Sequence, residues 1–548
     1  MTRHRLRRHI ARIAQIEFGA VIEPIFTRAR PGFGEWTTNA PLHIARLTGR
    51  DAGAIGDTLI SRLAPDFAGR IELTDGRLNF FMSDDHFRAV LETAARQGAH
   101  FGMGESLAGQ RVLVEFVSAD PTGPLPFVAG RHAALGESIC RLLEWQGARV
   151  TREFYLNDET SSSKIHALGE SVAGWYLHAF GRGKGAVASG ADEGFARGVA
   201  SELARGEGAK WLDSDPQERI ARCAQAALES AIAAQKSTLE RFGVRFDDWV
   251  SESSLRREGR VESALQTLQK GGFTSEKEGA LWLSTSKFGD ETDRVLRRQN
   301  GEITYFAGDI AYQLGKAERG FERIITVWGA EHEPYIARTR AALQAAGCEV
   351  SRFEFIVCGG ASLQRDGATL RLGSGGGPLI LEEELGEIEP DALKFHFLSA
   401  PRAKVCAIDL EIARRDAESN PAYAAQLLPA RLARLERETQ GQMGNQTGAN
   451  QAESADWSAG ERELARLVAL WPDEASEAAL GREPARIARF VSEMSDATRV
   501  LLAASAPGAI LGAILGAALP QRLQLLRAAR AAASAALRLL GIEAREKF

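Results

Sequence analysis

The chain has 548 residues, a formal net charge of −5, and 44% hydrophobic and 25% charged residues, which suits a soluble protein of about three domains. Its five cysteines (Cys140, Cys223, Cys348, Cys358 and Cys406) form no CxxC pair, which excludes a zinc ribbon or disulfide framework and fits a reducing, cytoplasmic setting. The mean charge excludes a polybasic nucleic-acid binder, so any RNA must meet local basic patches. In chain order, the Arg-rich opening MTRHRLRRHIARIAQIEF has one apolar helical face in Leu6, Ile10 and Ile13, so a basic surface helix is expected, not a transit peptide. The turn RPGFGEWTTN and the strand-like GRIELTD and GRLNFFMS follow, and residues 1–105 read as a small α+β domain.

From Arg111 to about Ala400, strand-like runs (RVLVEFV, ARVTREFYL, RIITVWGA, RFEFIVCGG) alternate with helical ones, the rhythm of a parallel α/β sheet. Its ligand crevice belongs beyond the C-terminal ends of the strands. Residues 106–400 are expected to form this domain, interrupted at about 160–299 by a mainly helical insertion. Residues 401–548 are expected to be helical, broken by a mobile surface loop at ETQGQMGNQTGANQAESADWS (Glu438 to Ser458). The uncharged Val500 to Leu519 repeats glycine at Gly508, Gly512 and Gly516, but Pro507 and Pro520 leave only twelve residues between them. About 18 Å of helix does not cross a hydrocarbon core of ~30 Å, so a packed helix in a bundle is expected and no membrane partner.

SADPTGPLPFVAGRHAALGESI (Ser118 to Ile139) joins a strand to a helix through a Pro/Gly turn. Such a helix N-terminus is an anion site in outline. TLRLGSGGGPLILEEEL (Thr369 to Leu385) is glycine-rich and has no lysine; it reads either as a surface loop or as a nest of backbone N–H groups around phosphate.

Several pieces together resemble the arginyl-tRNA synthetases of class I over nearly the whole length. They are GEWTTN (Gly34 to Asn39), GRLNFFMS, SADPTGPL, GARVTREFYLND (Gly147 to Asp158), the run from Ser284 to Phe321 containing YFAGD, VWGAEHEPYIAR (Val327 to Arg338), PDALKFHFL (Pro390 to Leu398) and NPAYAAQLLPARL (Asn420 to Leu432). The resemblance implies a class I Rossmann-like catalytic α/β domain, a small N-terminal α+β domain that reaches the tRNA elbow and an all-α anticodon-binding bundle. It also implies arginine, tRNA and ATP with Mg²⁺ as substrates, no permanently bound cofactor or metal, no DNA and a monomer.

By the same resemblance, Tyr305 and Asp309 meet the arginine guanidinium, with Asp120 and His332 beside the amino acid and Gly329 along the adenosine wall. The family's first ATP signature, His, apolar, Gly, His, falls on Pro126, Phe127, Val128 and Ala129, followed by Gly130. Proline has no N–H and alanine no side-chain donor, while Val128 puts a branched side chain on the adenine platform. The second signature, with its phosphate-binding lysines, falls on the glycine-rich loop, where Arg371 is the only cation and differs from lysine in shape. A substitute lysine ahead of the first signature is excluded, since the first lysine of the chain is Lys164. Asp120 replaces an Asn and would oppose adenylate formation. Arg5 and Arg8 on the first helix and Arg431 and Arg434 near the C-terminal bundle are the expected tRNA contacts. Two functions are therefore expected in parallel: a working arginine-tRNA ligase, or an impaired relative that keeps arginine or tRNA binding.

Overall fold

The computed structural model describes residues 3–30, 32–159, 162–185, 192–370, 379–445, 457–504 and 519–545. The opening helix, Arg3–Phe18, buries Leu6, Ile10 and Ile13 as its periodicity demands. It is not wholly a surface helix. Arg3 is buried and pairs with Glu474 at 3.6 Å, and Arg7 pairs with Glu477 at 2.6 Å, so this face docks on the C-terminal helix Ala459–Gly481. An antiparallel sheet follows, in the order Phe26–Arg28, Trp36–Thr38, Arg77–Met82, Gly69–Thr74. Asp75 and Gly76, both at positive φ, make the two-residue hairpin that an Asp-Gly pair favours. Within GEWTTN, Gly34 has φ +86° and a Cβ there would strike the Phe80 carbonyl. The buried Glu35 carboxylate accepts the Met82 N–H at 2.6 Å.

The central sheet is parallel and five-stranded, in the order Phe353–Cys358, Arg323–Gly329, Arg111–Glu115, Arg149–Leu156, Asp248–Ser251. Four strands are the apolar runs read from the sequence. The fifth, Asp248–Ser251, lies inside the stretch expected to be a helical insertion. The helices Ser163–Ala179, Glu193–Glu207 and Pro216–Arg241 occupy only the first part of that stretch. After the fifth strand come two short helices and an antiparallel sheet of Thr274–Lys277, Ala280–Leu283 and Arg294–Arg297. Arg111–Glu115 comes first in the chain; later strands add on one side of it and then, from Arg323, on the other. The switch point lies between Arg111–Glu115 and Arg323–Gly329, and in open α/β sheets the ligand crevice lies there, beyond the strands' C-terminal ends.

The remaining chain adds a small sheet (Ala361–Arg365, Ala368–Thr369, Cys406–Asp409) and the helices Pro421–Asn445, Ala459–Gly481, Ala485–Ala504 and Leu519–Leu539. The first of these helices continues through Glu438 to Asn445, where a loop was expected. The Arg434–Glu438 pair at 2.8 Å, spaced i, i+4, supports that extension. Ser458, at the other end of the expected loop, makes a capping box with Glu461. Residues 446–456, and the glycine repeat at Gly508, Gly512 and Gly516, lie outside the described residues. No helix among the described residues is long and apolar enough to cross a membrane. All five cysteines are unbridged, and four of them are buried.

The core runs through the helix Phe127–Trp145, which is enclosed on nearly every side. A Cβ on Gly130 would stand 2.7 Å from Leu381 Cδ1 and 3.1 Å from Phe397 Cε2. Gly130→Ala should therefore cost about 1–3 kcal/mol by overpacking, read as a lowered urea midpoint with an unchanged slope.

Candidate active site

The switch-point loop is built by strain and by pinning. Val117 and Ser118 both have positive φ (69° and 41°), a conformation that non-glycine residues hold only when their surroundings enforce it. Ser118 Oγ donates to Glu115 Oε1 at 2.9 Å and accepts the Tyr155 N–H at 3.2 Å. The buried Gln235 amide donates to the carbonyls of Asp120 and Gly123 at 3.1 and 3.0 Å. At the far end of the loop, Phe127 N–H donates to the Leu379 carbonyl and Leu381 N–H to the Leu125 carbonyl, both at 2.9 Å. These two bonds fasten the turn to the chain just after the glycine-rich segment.

Pro126 occupies the N-cap of the Phe127–Trp145 helix and supplies no side-chain bond. Phe127 is buried against Phe397, with ring centroids 5.2 Å apart, and Ala129 is buried too. Of the four signature positions Pro126 is exposed and Val128 half-buried. Gly130 is packed under Leu381. Arg131 cannot replace a missing donor, because its guanidinium is spent on the carbonyls of Gly360 (2.5 Å) and Pro401 (3.0 Å). His132 is buried, with a partnerless Nε2, and burial lowers its pKa to about 4. It is a neutral imidazole at neutral pH. Arg371 and Gly373 to Gly377 lie outside the described residues.

Asp120 is partnered on both carboxylate oxygens. Its Oδ2 pairs with Lys164 Nζ at 2.5 Å and its Oδ1 accepts from Asn157 Nδ2 at 3.0 Å, so the negative charge meets a cation instead of facing the crevice alone. The bond to Asp120 raises the Lys164 pKa, and the nearby Tyr305 adds to it. Lys164 is the site residue that sequence reasoning passed over; its signal was its place a few residues after Asn157, which also bonds Asp120. Asp158 is structural, accepting Ser251 Oγ at 2.6 Å and Ser253 N–H at 2.9 Å.

The acidic side of the crevice is denser than the sequence implied. Thr304 caps the helix Tyr305–Glu318, which puts the exposed Tyr305 on its first turn and Asp309 one turn later on the same face. Desolvation, then the charges of Glu252 and Glu115, push the Asp309 carboxyl up to about 7. Glu252 is buried at the end of the fifth strand, and its Oε1 accepts from Arg256 Nη2 at 2.9 Å; burial raises its pKa also. Tyr155 stacks on Tyr312 at 4.0 Å, and its buried hydroxyl has no partner. Glu115 is matched by Lys316 at 2.5 Å and Glu153 by Arg319 at 2.6 Å. Asp309 has no such ion pair among the described residues, and with Glu252 and the Tyr155 hydroxyl it can receive a cation that carries several N–H donors. Glu252 was missed because it follows a strand that was itself missed.

On the opposite wall, Gly329 ends its strand so close to the Glu331 carboxylate that a side chain would displace it. His332 is exposed, with Nδ1 3.3 Å from Glu331 Oε1. Of the expected tRNA contacts, Arg5, Arg8 and Arg434 are exposed. Arg431 is not available to a phosphate: it is buried and paired with Glu418, because its position on the Pro421–Asn445 helix turns inward.

A model of the tRNA synthetase class I (R) catalytic domain matches residues 208–396, and one of the DALR anticodon binding domain matches residues 426–548. The arginine–tRNA ligase of Oceanobacillus iheyensis is 32% identical over 519 residues, covering 94% of this chain and 92% of its own. That of Desulforudis audaxviator is 34% identical over 544 residues, covering 97% and 95%. The fold of the Thermus thermophilus arginyl-tRNA synthetase matches with a TM-score of 0.78 over the full length of both chains, at 22% identity.

Proposed function

The chain belongs to the arginyl-tRNA synthetase family of class I, and on that premise we propose that it is an arginine-tRNA ligase with a serviceable arginine site and an impaired ATP-activation step. The observation that carries this reading is the contrast across one site: on one side Asp309 has no ion pair among the described residues and the Tyr155 hydroxyl no partner, beside the Glu252–Arg256 pair, while on the other the Phe127–Trp145 helix begins with no side-chain donor. A guanidinium satisfies the first group through charge-assisted hydrogen bonds. Ligases of this class use ATP, generally with Mg²⁺. Among the described residues no three His, Cys, Asp or Glu side chains are grouped as metal ligands, so the ion would arrive on the ATP phosphates.

The roles of this chain's own residues follow. Asp309 and Glu252 orient arginine, Asp120 holds Lys164 at the crevice mouth, and the dipole at the start of the Phe127–Trp145 helix provides the remaining anion field, the Phe127 and Ala129 N–H groups being spent on the Leu379 and Pro126 carbonyls. Full activity is a second reading, favoured by the Lys164–Asp120 pair, which keeps an ammonium beside the switch-point loop. Two measurements separate them. Calorimetry should give a distinct arginine isotherm with lysine bound far more weakly, and arginine-dependent exchange of pyrophosphate into ATP should be slow or absent. Equal weak heats for arginine and lysine would remove the arginine site; rapid exchange would select the second reading.

The tRNA side rests on the exposed Arg5, Arg8 and Arg434. Retention of tRNA on filters should fall steeply with salt as counterions are released, and Arg5→Ala with Arg8→Ala should flatten the log–log slope by about one to two. Absence of retention at low salt would count against tRNA as a substrate.

A further inference from the structure

A second charged groove lies at the other end of the central sheet from the crevice, and its volume is 320 Å³. It is lined by Arg323 and Glu354 at the N-terminal ends of the two strands on that side, by Arg340 and Ser351, and by Arg482 just past the Ala459–Gly481 helix. Three arginines face one glutamate there, a net charge of +2. A single oxygen, Glu354 Oε2, serves both Arg482 (3.2 Å) and Arg323 (3.4 Å). Arg340 lies over the Phe355 ring at 5.6 Å and has no carboxylate partner among the described residues.

Arg482 is the unusual member. It is 4% exposed, its Nε has no hydrogen-bond partner, and its backbone is left-handed at φ 52°, a conformation that glycine would hold without strain. Behind it, Arg402 occupies the carbonyls of Gly481 (2.5 Å) and Arg482 (3.2 Å), adding positive charge and removing acceptors. Arg482 Nη1 donates to the Ala479 carbonyl and Nη2 to Glu354, which it shares with Arg323, so the unused donor is Nε, buried beside two more guanidinia that divide a single carboxylate.

We propose that this groove binds a phosphate group through Arg323, Arg340 and Arg482. The forked donors of arginine match tetrahedral oxyanions, and a phosphate dianion matches the net charge. The site is independent of the arginine and ATP readings, since it lies at the opposite strand ends. Two sources share this chemistry: free phosphate and a phosphate of an RNA backbone.

Arg323→Ala with Arg340→Ala tests the groove on part-exposed side chains, with arginine calorimetry as the check that the crevice is undisturbed. If free phosphate is the ligand, inorganic phosphate binds the wild-type chain and the double variant loses about tenfold or more in affinity. If the backbone is the source, filter-bound tRNA weakens by about tenfold in the double variant while inorganic phosphate competes poorly. Glu354→Gln keeps a hydrogen-bond acceptor for Arg482 but removes the one carboxylate among the described residues that line the groove, and should tighten whichever ligand binds. Unchanged phosphate and tRNA binding in the double variant, or weaker binding in Glu354→Gln, would overturn the proposal.

Discussion

Arginine affinity should fall about 100-fold in Asp309→Asn, because losing one partner of a desolvated charge pair costs on the order of 2–5 kcal/mol. Asparagine keeps the shape of the site and removes only the charge. The same residue should make binding depend on pH. Desolvation and the neighbouring Glu252 and Glu115 push the Asp309 carboxyl up to about 7, so near neutrality the free protein holds it partly protonated. A guanidinium binds the ionised form and releases that proton. Affinity should rise about tenfold per pH unit below the pKa and level off above it, and the Asn variant should lose this slope. Stability should change in the opposite sense. A carboxyl whose pKa is raised on folding lends stability in acid that is lost as pH rises from its ordinary value of 3.8 through about 7. Asp309→Asn should therefore melt higher than the parent at pH 8 and closer to it at pH 5. A pH-independent arginine isotherm in the parent would show that Asp309 does not meet the ligand.

The parts of this molecule that were legible in the sequence are those where one physical signal dominates. Long apolar runs identified four of the five strands of the central sheet, and the i, i+4 spacing put Tyr305 and Asp309 on one helical face. The fifth strand, Asp248–Ser251, is four residues long, at a sheet edge and only partly buried, so it carries neither an apolar run nor alternation. Missing it hid Glu252, which the strand delivers to the crevice. Lys164 follows the first signature in the chain, yet the helix Ser163–Ala179 returns its ammonium to Asp120. Asp120, which looked electrostatically hostile alone, is half of an ion pair. Arg431 failed for the converse reason. Its basic character suggested a surface, while its position on the helix sets it inside against Glu418. Charge type is visible in one dimension, and charge pairing is not.

The turn from Pro126 to Ala129 should be repairable in steps, and the order of recovery should follow from where each side chain sits. Val128 is half-buried on the first helical turn, and Val128→Gly should improve ATP binding by clearing the platform without restoring turnover. Pro126→His adds a donor at the exposed N-cap position, where the helix dipole already favours phosphate. Its effect should appear in the rate of pyrophosphate exchange more than in ATP affinity, because a donor aimed at developing charge acts in the transition state. Ala129 is enclosed at 3% exposure, so Ala129→His must displace core atoms, and its gain should be partly offset by an overpacking cost of about 1–3 kcal/mol. Each restored phosphate donor should return roughly 10²–10³ in rate at most, with each tenfold step equal to about 1.4 kcal/mol. Lys164→Ala in the repaired protein then reads the contribution of the ammonium at the crevice mouth. If it supports phosphate, the rate falls while arginine affinity holds. An unmodified chain that exchanges pyrophosphate at the rate of the fully repaired one would show that the helix dipole and Lys164 suffice, and that the second reading of the site is correct.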